Sequence, residues 1–209
     1  VSLGPYSADS RILAKVLNCE NPRGFTPCDK CKQCVSITKG NNLDVIEMDA
    51  ASHRGIDDIR VLRDAVKLAP VAAKKKIYII DEVHMLTTEA GNALLKTLEE
   101  PPDHVVFILA TTNPEKIIGT VRSRATLVQF NKAKPSEIVR SLQRVMDGEK
   151  IKIDEDSLKL IAETSEGSFR DAMSAIENSL SAGIPTFIQY SPTRLNPAGD
   201  IIELGTNIK

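Results

Sequence analysis

Two stretches of this chain are apolar at every position and then stop abruptly at polar residues. Ile77-Tyr78-Ile79-Ile80 runs into Asp81-Glu82, and residues 105–110 run into Thr111-Thr112-Asn113. A strand with one wet face alternates apolar and polar residues, so a strand with no polar face must be covered on both sides. Around these runs, apolar residues recur at helical spacing. Ile56, Ile59, Leu62 and Val66 precede the first run, and Ala90, Leu94 and Leu98 lie between the two, stopped by Pro101-Pro102. Strands alternating with helices in this way predict an α/β fold, a parallel sheet sandwiched by helices. In such sheets ligands sit at the carboxyl ends of the strands. Both polar clusters fall at such ends.

The remaining pattern divides the chain. Residues 10–17 predict a short amphipathic helix, 44–48 a strand and 126–130 a further short strand. After Lys132 only helices are expected, over 135–146, 156–163 and 168–180. The spacing therefore predicts a sheet-containing core over 1–132, a small helical domain over 133–183 and an irregular tail over 184–209, where prolines, Gly and Asn break any periodicity.

Composition narrows the class of partner. Of 209 residues, 42% are hydrophobic and 26% charged, and Lys+Arg 27 against Asp+Glu 28 leaves a net charge of -1. No global basic field marks a nucleic-acid binder, so contact with DNA has to come from a local patch or from an assembly. No apolar run reaches bilayer length, and the residues from Val1 carry neither a basic leader nor a hydrophobic segment. The expectation is a cytoplasmic protein with no membrane association.

The 4 cysteines all lie within residues 19–34, spaced Cys19-x8-Cys28-x2-Cys31-x2-Cys34. In a cytosolic chain such a cluster points to metal more than to disulfides. Two Cys-x2-Cys steps sharing Cys31 present sulfurs to one ion, and the loop containing Pro22, Gly24 and Pro27 returns the first ligand. Four thiolates close the shell of a tetrahedral Zn2+, so this site would be structural. The alternative is four unligated buried cysteines.

Asp81-Glu82 at the end of an apolar strand has the form of a Walker B segment, continued by Val83-His84-Met85-Leu86. Asp81 in that position can hold Mg2+ beside nucleotide phosphates, and Glu82 can polarise a water for in-line attack. The alternative is a solvated pair capping the following helix. Thr112 and Asn113 can bond the attacking water or the terminal phosphate; taken alone, Asn113-Pro114 is a turn that ends the strand. Arg124 and Arg170 each carry a guanidinium suited to phosphate, though a lone arginine is usually a surface residue. His84 is expected to be packed or hydrogen-bonded and not catalytic.

Taken in order, several segments resemble one family. They are the cysteine module, Asp49-Ala50-Ala51-Ser52 with Arg54-Gly55, the segment from Ile79 to Leu86, Asn92-Ala93-Leu94-Leu95-Lys96-Thr97-Leu98-Glu99-Glu100-Pro101-Pro102, Leu109-Ala110-Thr111-Thr112-Asn113, Ser123-Arg124 and Gly167-Ser168-Phe169-Arg170-Asp171-Ala172. The set is similar to the gamma/tau subunits of the bacterial DNA polymerase III clamp loader, which are AAA+ ATPases. The resemblance implies a P-loop NTPase core with an inserted zinc module, and a helical lid. It implies ATP and Mg2+ as ligands, with Asp81 serving Mg2+ and Glu82 activating water. Thr112 with Asn113 would be sensor 1, Arg124 the arginine finger reaching a neighbouring subunit's ATP, and Arg170 sensor 2. The implied partners are other clamp-loader subunits in a hetero-oligomeric ring, the sliding clamp, and primed DNA through the assembled complex. The non-hydrolysing delta-prime stator of the same loader and a zinc-stabilised interaction domain are the competing readings.

One departure bears on activity. The family carries G-x-x-x-x-G-K-[ST] just before the first of these helices. Here Gly4-Pro5-Tyr6-Ser7-Ala8-Asp9-Ser10 stands in its place, and no Gly-Lys pair occurs anywhere in the chain. The expectation is that ATP binds weakly or not at all. Ala125 replaces a family Cys after Arg124, which leaves the arginine available.

Overall fold

The computed structural model describes residues 5–181. In chain order its elements are α1 (Pro5–Asn18), α2 (Lys32–Thr38), β1 (Val45–Asp49), α3 (Ile56–Val66), β2 (Lys76–Asp81), α4 (Thr88–Glu99), β3 (Val105–Leu109), α5 (Gly119–Arg122), α6 (Pro135–Glu149), α7 (Glu155–Thr164) and α8 (Phe169–Ser181). They form two compact units, Val1–Val128 and Gln129–Lys209. The expected tail over 184–209 lies outside the described residues, as do residues 1–4.

The first unit is built on a 3-stranded sheet of order β1-β2-β3, parallel throughout. β2 is the central strand, and its residues sort by parity onto two cores. Tyr78 and Ile80 face α3 and α4, where they meet Ile59, Leu62, Val66, Ala90 and Leu94, with Met48, Phe107 and Leu109 alongside. Ile77 and Ile79 face the other way, onto Ala14 of α1 and Ile37 of α2, with Val45, Val106 and Ile108. The absence of a polar face in β2 thus follows from helices on both sides. β1 and β3 are the sheet edges of the described residues and are only half-buried along most of their length.

Local signals set the helix ends. The Thr87 side chain accepts from the Ala90 N–H at the start of α4, and Pro101-Pro102 follows its last turn. Upstream of β1, Asp44 is 1% exposed and accepts backbone N–H bonds from Val71, Ala72 and Ala73 at 2.7, 2.8 and 2.8 Å. Those bonds tie the turn before β2 to the turn before β1.

In the second unit, α6, α7 and α8 pack around Ile138, Leu142, Met146, Leu158, Ile161, Ala172 and Ile176. Pro135 opens α6, and the Lys134 N–H donates to Glu137 Oε2 at 2.8 Å. Asp154 caps α7 by accepting from the Ser157 N–H at 2.8 Å. Gly167 turns the chain into α8 with φ +87, and a Cβ there would lie 2.6 Å from Lys132 Cβ, so only glycine fits.

Two expectations need correction. Residues 126–130 form no strand, because no described segment offers them a ladder, and an isolated strand leaves its backbone groups unpaired. Leu127 and Phe130 are 60% and 57% exposed. The cysteine module is also not all loop, since α2 begins at Lys32 and takes Cys34 into its first turn.

Burial opposes ionisation of Asp44, but the N–H donors of Ala72, Val71 and Ala73 outweigh it and hold its carboxyl below the usual range. An aspartate so lowered contributes fully above its unfolded value, about pH 4, and loses that contribution as pH falls through the lower folded value. Asp44→Ala is expected to cost roughly 3 kcal/mol at pH 7 by stranding the buried N–H groups. Urea unfolding followed at the Ala72 amide should show a smaller difference between parent and variant at pH 3 than at pH 7.

Candidate functional site

The carboxyl end of the sheet is held together by backbone bonds that continue past the strands. The Ala50 N–H donates to Asp81 O at 2.9 Å, the Ala110 N–H to Ile80 O at 2.9 Å, and the Val83 N–H to Ala110 O at 3.0 Å. To make the last bond the chain turns sharply after Asp81, and Glu82 sits in the left-handed region with φ +49. For a residue with a Cβ this costs roughly 1 kcal/mol, and it aims the side chain toward the end of β3. There the Glu82 carboxylate accepts from the Thr112 N–H at 3.2 Å and from Thr112 Oγ1 at 3.0 Å. His84, in the 3-10 turn Val83–Met85, places Nδ1 at 3.2 Å from Glu82 Oε2 and 2.9 Å from Thr111 Oγ1. The Asn113 N–H also bonds Thr111 Oγ1, at 3.0 Å, and Asn113 precedes the 3-10 turn Pro114–Lys116.

Carboxylates dominate the electrostatics here. Register pairs Asp81 with Asp49 across β1 and β2. Burial raises the Asp81 carboxyl above its ordinary value; the Glu82 N–H pulls it back, and the carboxylates of Glu82, Asp49 and Glu47 push it up again. A cation at this position would reverse both unfavourable contributions. Asp49 is held low by the Ser52 hydroxyl and the Ala51 N–H. Glu47 is neutralised by Arg11 of α1, whose Nε and Nη2 reach its two oxygens at 2.6 and 2.8 Å.

The arginines are placed differently. Arg124 follows α5 and pairs with Glu99 at the end of α4, and its Nη1 also donates to Thr120 O at 2.7 Å. Arg170 belongs to the second unit, where it is the second residue of α8. Asp81, Glu82, Thr112 and Asn113 therefore come together at one end of one sheet, and Arg124 is anchored elsewhere in the same unit.

The 4 cysteine sulfurs lie within 4.8 Å of one another. Four thiolates about 2.3 Å from a tetrahedral ion sit roughly 3.8 Å apart, so the cluster fits such an ion after small side-chain adjustments. Cys19 and Cys34 are buried, and none of the four is in a disulfide. Backbone N–H groups of Cys28, Cys31 and Cys34 point at the sulfurs of Cys19, Cys28 and Cys31 at 3.3, 3.3 and 3.4 Å. Backbone donors at Lys30 and Cys31 lower the Cys28 thiol to about 6, whereas burial pushes Cys34 up to about 12. Donors aimed at sulfur favour the thiolate, the form a metal binds. The module is fastened to the core by Lys74 Nζ, which donates to Cys19 O at 3.0 Å, and by Asn18, whose amide exchanges hydrogen bonds with the Lys75 backbone at 2.9 Å in each direction.

Three neighbours of the site lie inside quoted motifs but were given no role of their own from sequence. Asp49 ends its strand as Asp81 does, a signal available to inspection. Thr111 stands in the polar cluster that ends its strand, but its bond to His84, like the pairing of Glu99 with Arg124, depends on which segments meet in space.

Comparison with known proteins follows the same division of the chain. A family model described as "DNA polymerase III, delta subunit" matches residues 6–134, and one described as "DNA polymerase III clamp loader subunit, ATPase lid domain" matches residues 137–183. DNA polymerase III subunit tau of Bacillus subtilis is 48% identical over 172 residues, covering 82% of this chain and 31% of that protein. DNA polymerase III subunit gamma/tau of Mycobacterium tuberculosis is 40% identical over 187 residues, covering 88% and 32%. Subunit tau of Escherichia coli is 44% identical over 174 residues, covering 83% and 27%. The chain thus spans about a third of the length of these relatives. Among solved structures, the Thermotoga maritima RuvB Holliday junction branch migration motor aligns with a TM-score of 0.56 at 15% identity, covering 73% of this chain and 51% of that one. That likeness concerns the fold alone.

Proposed function

The chain belongs to the clamp-loader subunit family of bacterial DNA polymerase III, and on that premise we propose that it is the nucleotide-handling and lid portion of a gamma/tau-type subunit. The observation that carries this reading is the strand-end cluster, in which Asp81 and Glu82 leave β2 beside Thr112 at the end of β3. In this reading the chain works in the cytoplasm, within a hetero-oligomeric loader that opens the sliding clamp and places it on primed DNA, driven by ATP.

Each residue then has a task. Asp81 holds Mg2+, which when bound supplies the charge that neutralises the phosphates. Glu82 takes a proton from the attacking water, and Thr112 and Asn113 hold the terminal phosphate or that water. Arg124 serves the site of the neighbouring subunit and Arg170 acts from the lid. Residues 1–132 act as the core, 133–183 as the lid. Zn2+ in the Cys19, Cys28, Cys31 and Cys34 shell is structural, since four sulfurs leave no open coordination position.

A specific observation favours a second reading, a delta-prime-like stator that binds partners without hydrolysis. The chain has no Gly-Lys pair, and helix α1 already runs from Pro5 through the place where a phosphate loop would lie. From its second turn on, the N–H groups of this helix bond its own carbonyls, and without the loop's lysine no side-chain cation faces the phosphates. Retention of Asp81-Glu82 supports the ATPase lineage, and the missing Gly-Lys pair supports impaired nucleotide binding in this chain.

Three measurements bear on this. Calorimetric titration with Mg2+ and ATP is expected to give a dissociation constant no tighter than millimolar; micromolar affinity would contradict the impaired-site reading. Elemental analysis of the purified chain should find one equivalent of zinc, absent in Cys34→Ser, with a lower unfolding temperature after chelation. Full thermal stability in the metal-free chain would count against the zinc shell. Binding to the other loader subunits in a pull-down separates either clamp-loader reading from a free-standing interaction domain.

A further inference from the structure

Phe25 stands 93% exposed in the loop between Cys19 and Cys28. A single apolar side chain in water is commonplace, but this one is held out by its backbone. The Arg23 and Thr26 backbones exchange N–H to O hydrogen bonds at 3.0 and 3.1 Å, which closes a two-residue turn over Gly24-Phe25. Gly24 takes φ +61, and Phe25 does not enter the left-handed region. That is the pattern of a type II′ hairpin turn, whose first central position calls for glycine. Pro22 and Pro27 flank the turn and fix φ on either side of it. The Cys28 N–H, on Cys19 Sγ at 3.3 Å, draws the two ends of the loop together. Little backbone freedom is left to lose when the ring is covered.

The module around this turn is basic at its surface. Arg23, Lys30 and Lys32 are exposed and form no ion pair among the described residues, whereas Asp29 is already taken by Lys15 at 2.8 Å. Glu20 is the only other carboxylate between Cys19 and Cys34. We propose that the turn is a docking knob, with Phe25 entering an apolar pocket rimmed by carboxylates on another protein of the clamp loader. The inference rests on the chain acting within that assembly. Aromatic side chains seated in pockets carry much of the energy of protein interfaces, and cations facing an acidic rim steer the encounter. Single-stranded nucleic acid fits less well, because it is held along a basic groove that contains its aromatic platforms. Phe25 instead projects from a turn tip, with nothing within 4 Å of a Cβ built on Gly24. A second copy also fits less well. One cleft of this chain is lined by Lys132, Lys134, Arg140 and Arg144 and would repel the same cations; another, beside Val83 and Gly91, measures only about 20 Å3.

The test uses the full chain, purified in the presence of zinc and fluorescently labelled. It is titrated with each purified subunit of its own clamp loader, and binding is followed by anisotropy. Phe25→Ala is expected to weaken binding to one of them roughly tenfold or more, and Phe25→Trp to retain it. Arg23→Ser should slow association and flatten its dependence on salt. The ring is exposed in the free chain, so Phe25→Ala should leave the unfolding temperature unchanged. The parent chain decides even if a variant misfolds: hydrogen exchange at the Thr26 amide, bonded to Arg23 O, is expected to slow when that subunit binds. Equal affinity of Phe25→Ala and parent, or a Thr26 amide that is unaffected by binding, overturns the proposal and leaves the clamp-loader reading standing. Failure of the parent to bind any loader subunit overturns both. A Phe25-dependent affinity for oligothymidylate, or a Phe25-dependent dimer of the chain alone, gives the knob another occupant and likewise overturns the proposal.

Discussion

Everything chemical in the first unit depends on a parallel ladder that does not stop where its strands stop. The bonds from the Ala50, Ala110 and Val83 amides extend the pairing of β1, β2 and β3 by a residue or more. Side chains that are far apart in the chain are brought to one edge by backbone groups that have to be paired anyway once buried. The central strand can provide this because it is covered by helices on both faces, with Tyr78 and Ile80 turned one way and Ile77 and Ile79 the other. Position at the site is therefore a consequence of the core, and the polar residues need little rigidity of their own.

What they bring is charge held at a cost. Asp81 is raised by burial and by the neighbouring carboxylates of Glu82, Asp49 and Glu47, while Glu82 accepts a left-handed backbone to reach Thr112. Arg11 relieves Glu47, and Ser52 relieves Asp49, which leaves Asp81 as the carboxylate with most to gain from a cation. Strain and unrelieved charge of this kind collect where a ligand is to be met. Across the same unit, Arg124 is steadied by Glu99 and the Thr120 carbonyl. The cysteine module sits apart, joined to the core through Asn18 and Lys74, in keeping with a structural part.

Much of this was legible in the residues. The fully apolar run before Asp81 could only be a strand buried on both faces, and the pair of prolines after α4 could only end a helix. The spacing of the cysteines announced their convergence. What was not legible depends on pairing. Residues 126–130 have the composition of a strand, yet a strand exists only with a partner, and none lies beside them among the described residues. The proximity of Asp49 to Asp81 needs the register of β1 on β2, which a single sequence does not state. His84 was expected to be packed or hydrogen-bonded, and its ring does bond Thr111, though which residue it meets was not legible. The start of α2 inside the cysteine module was hidden because the Cys-x2-Cys spacing fits a turn as well as a first helical turn.

The claim that the ladder extends past the strands to hold the site is tested most directly by native-state hydrogen exchange at the Ala50, Val83 and Ala110 amides. The account predicts protection comparable to that of the amides inside β2, with all of them opening together. Exchange at these three positions as fast as in exposed loops, while β2 stays protected, would contradict it.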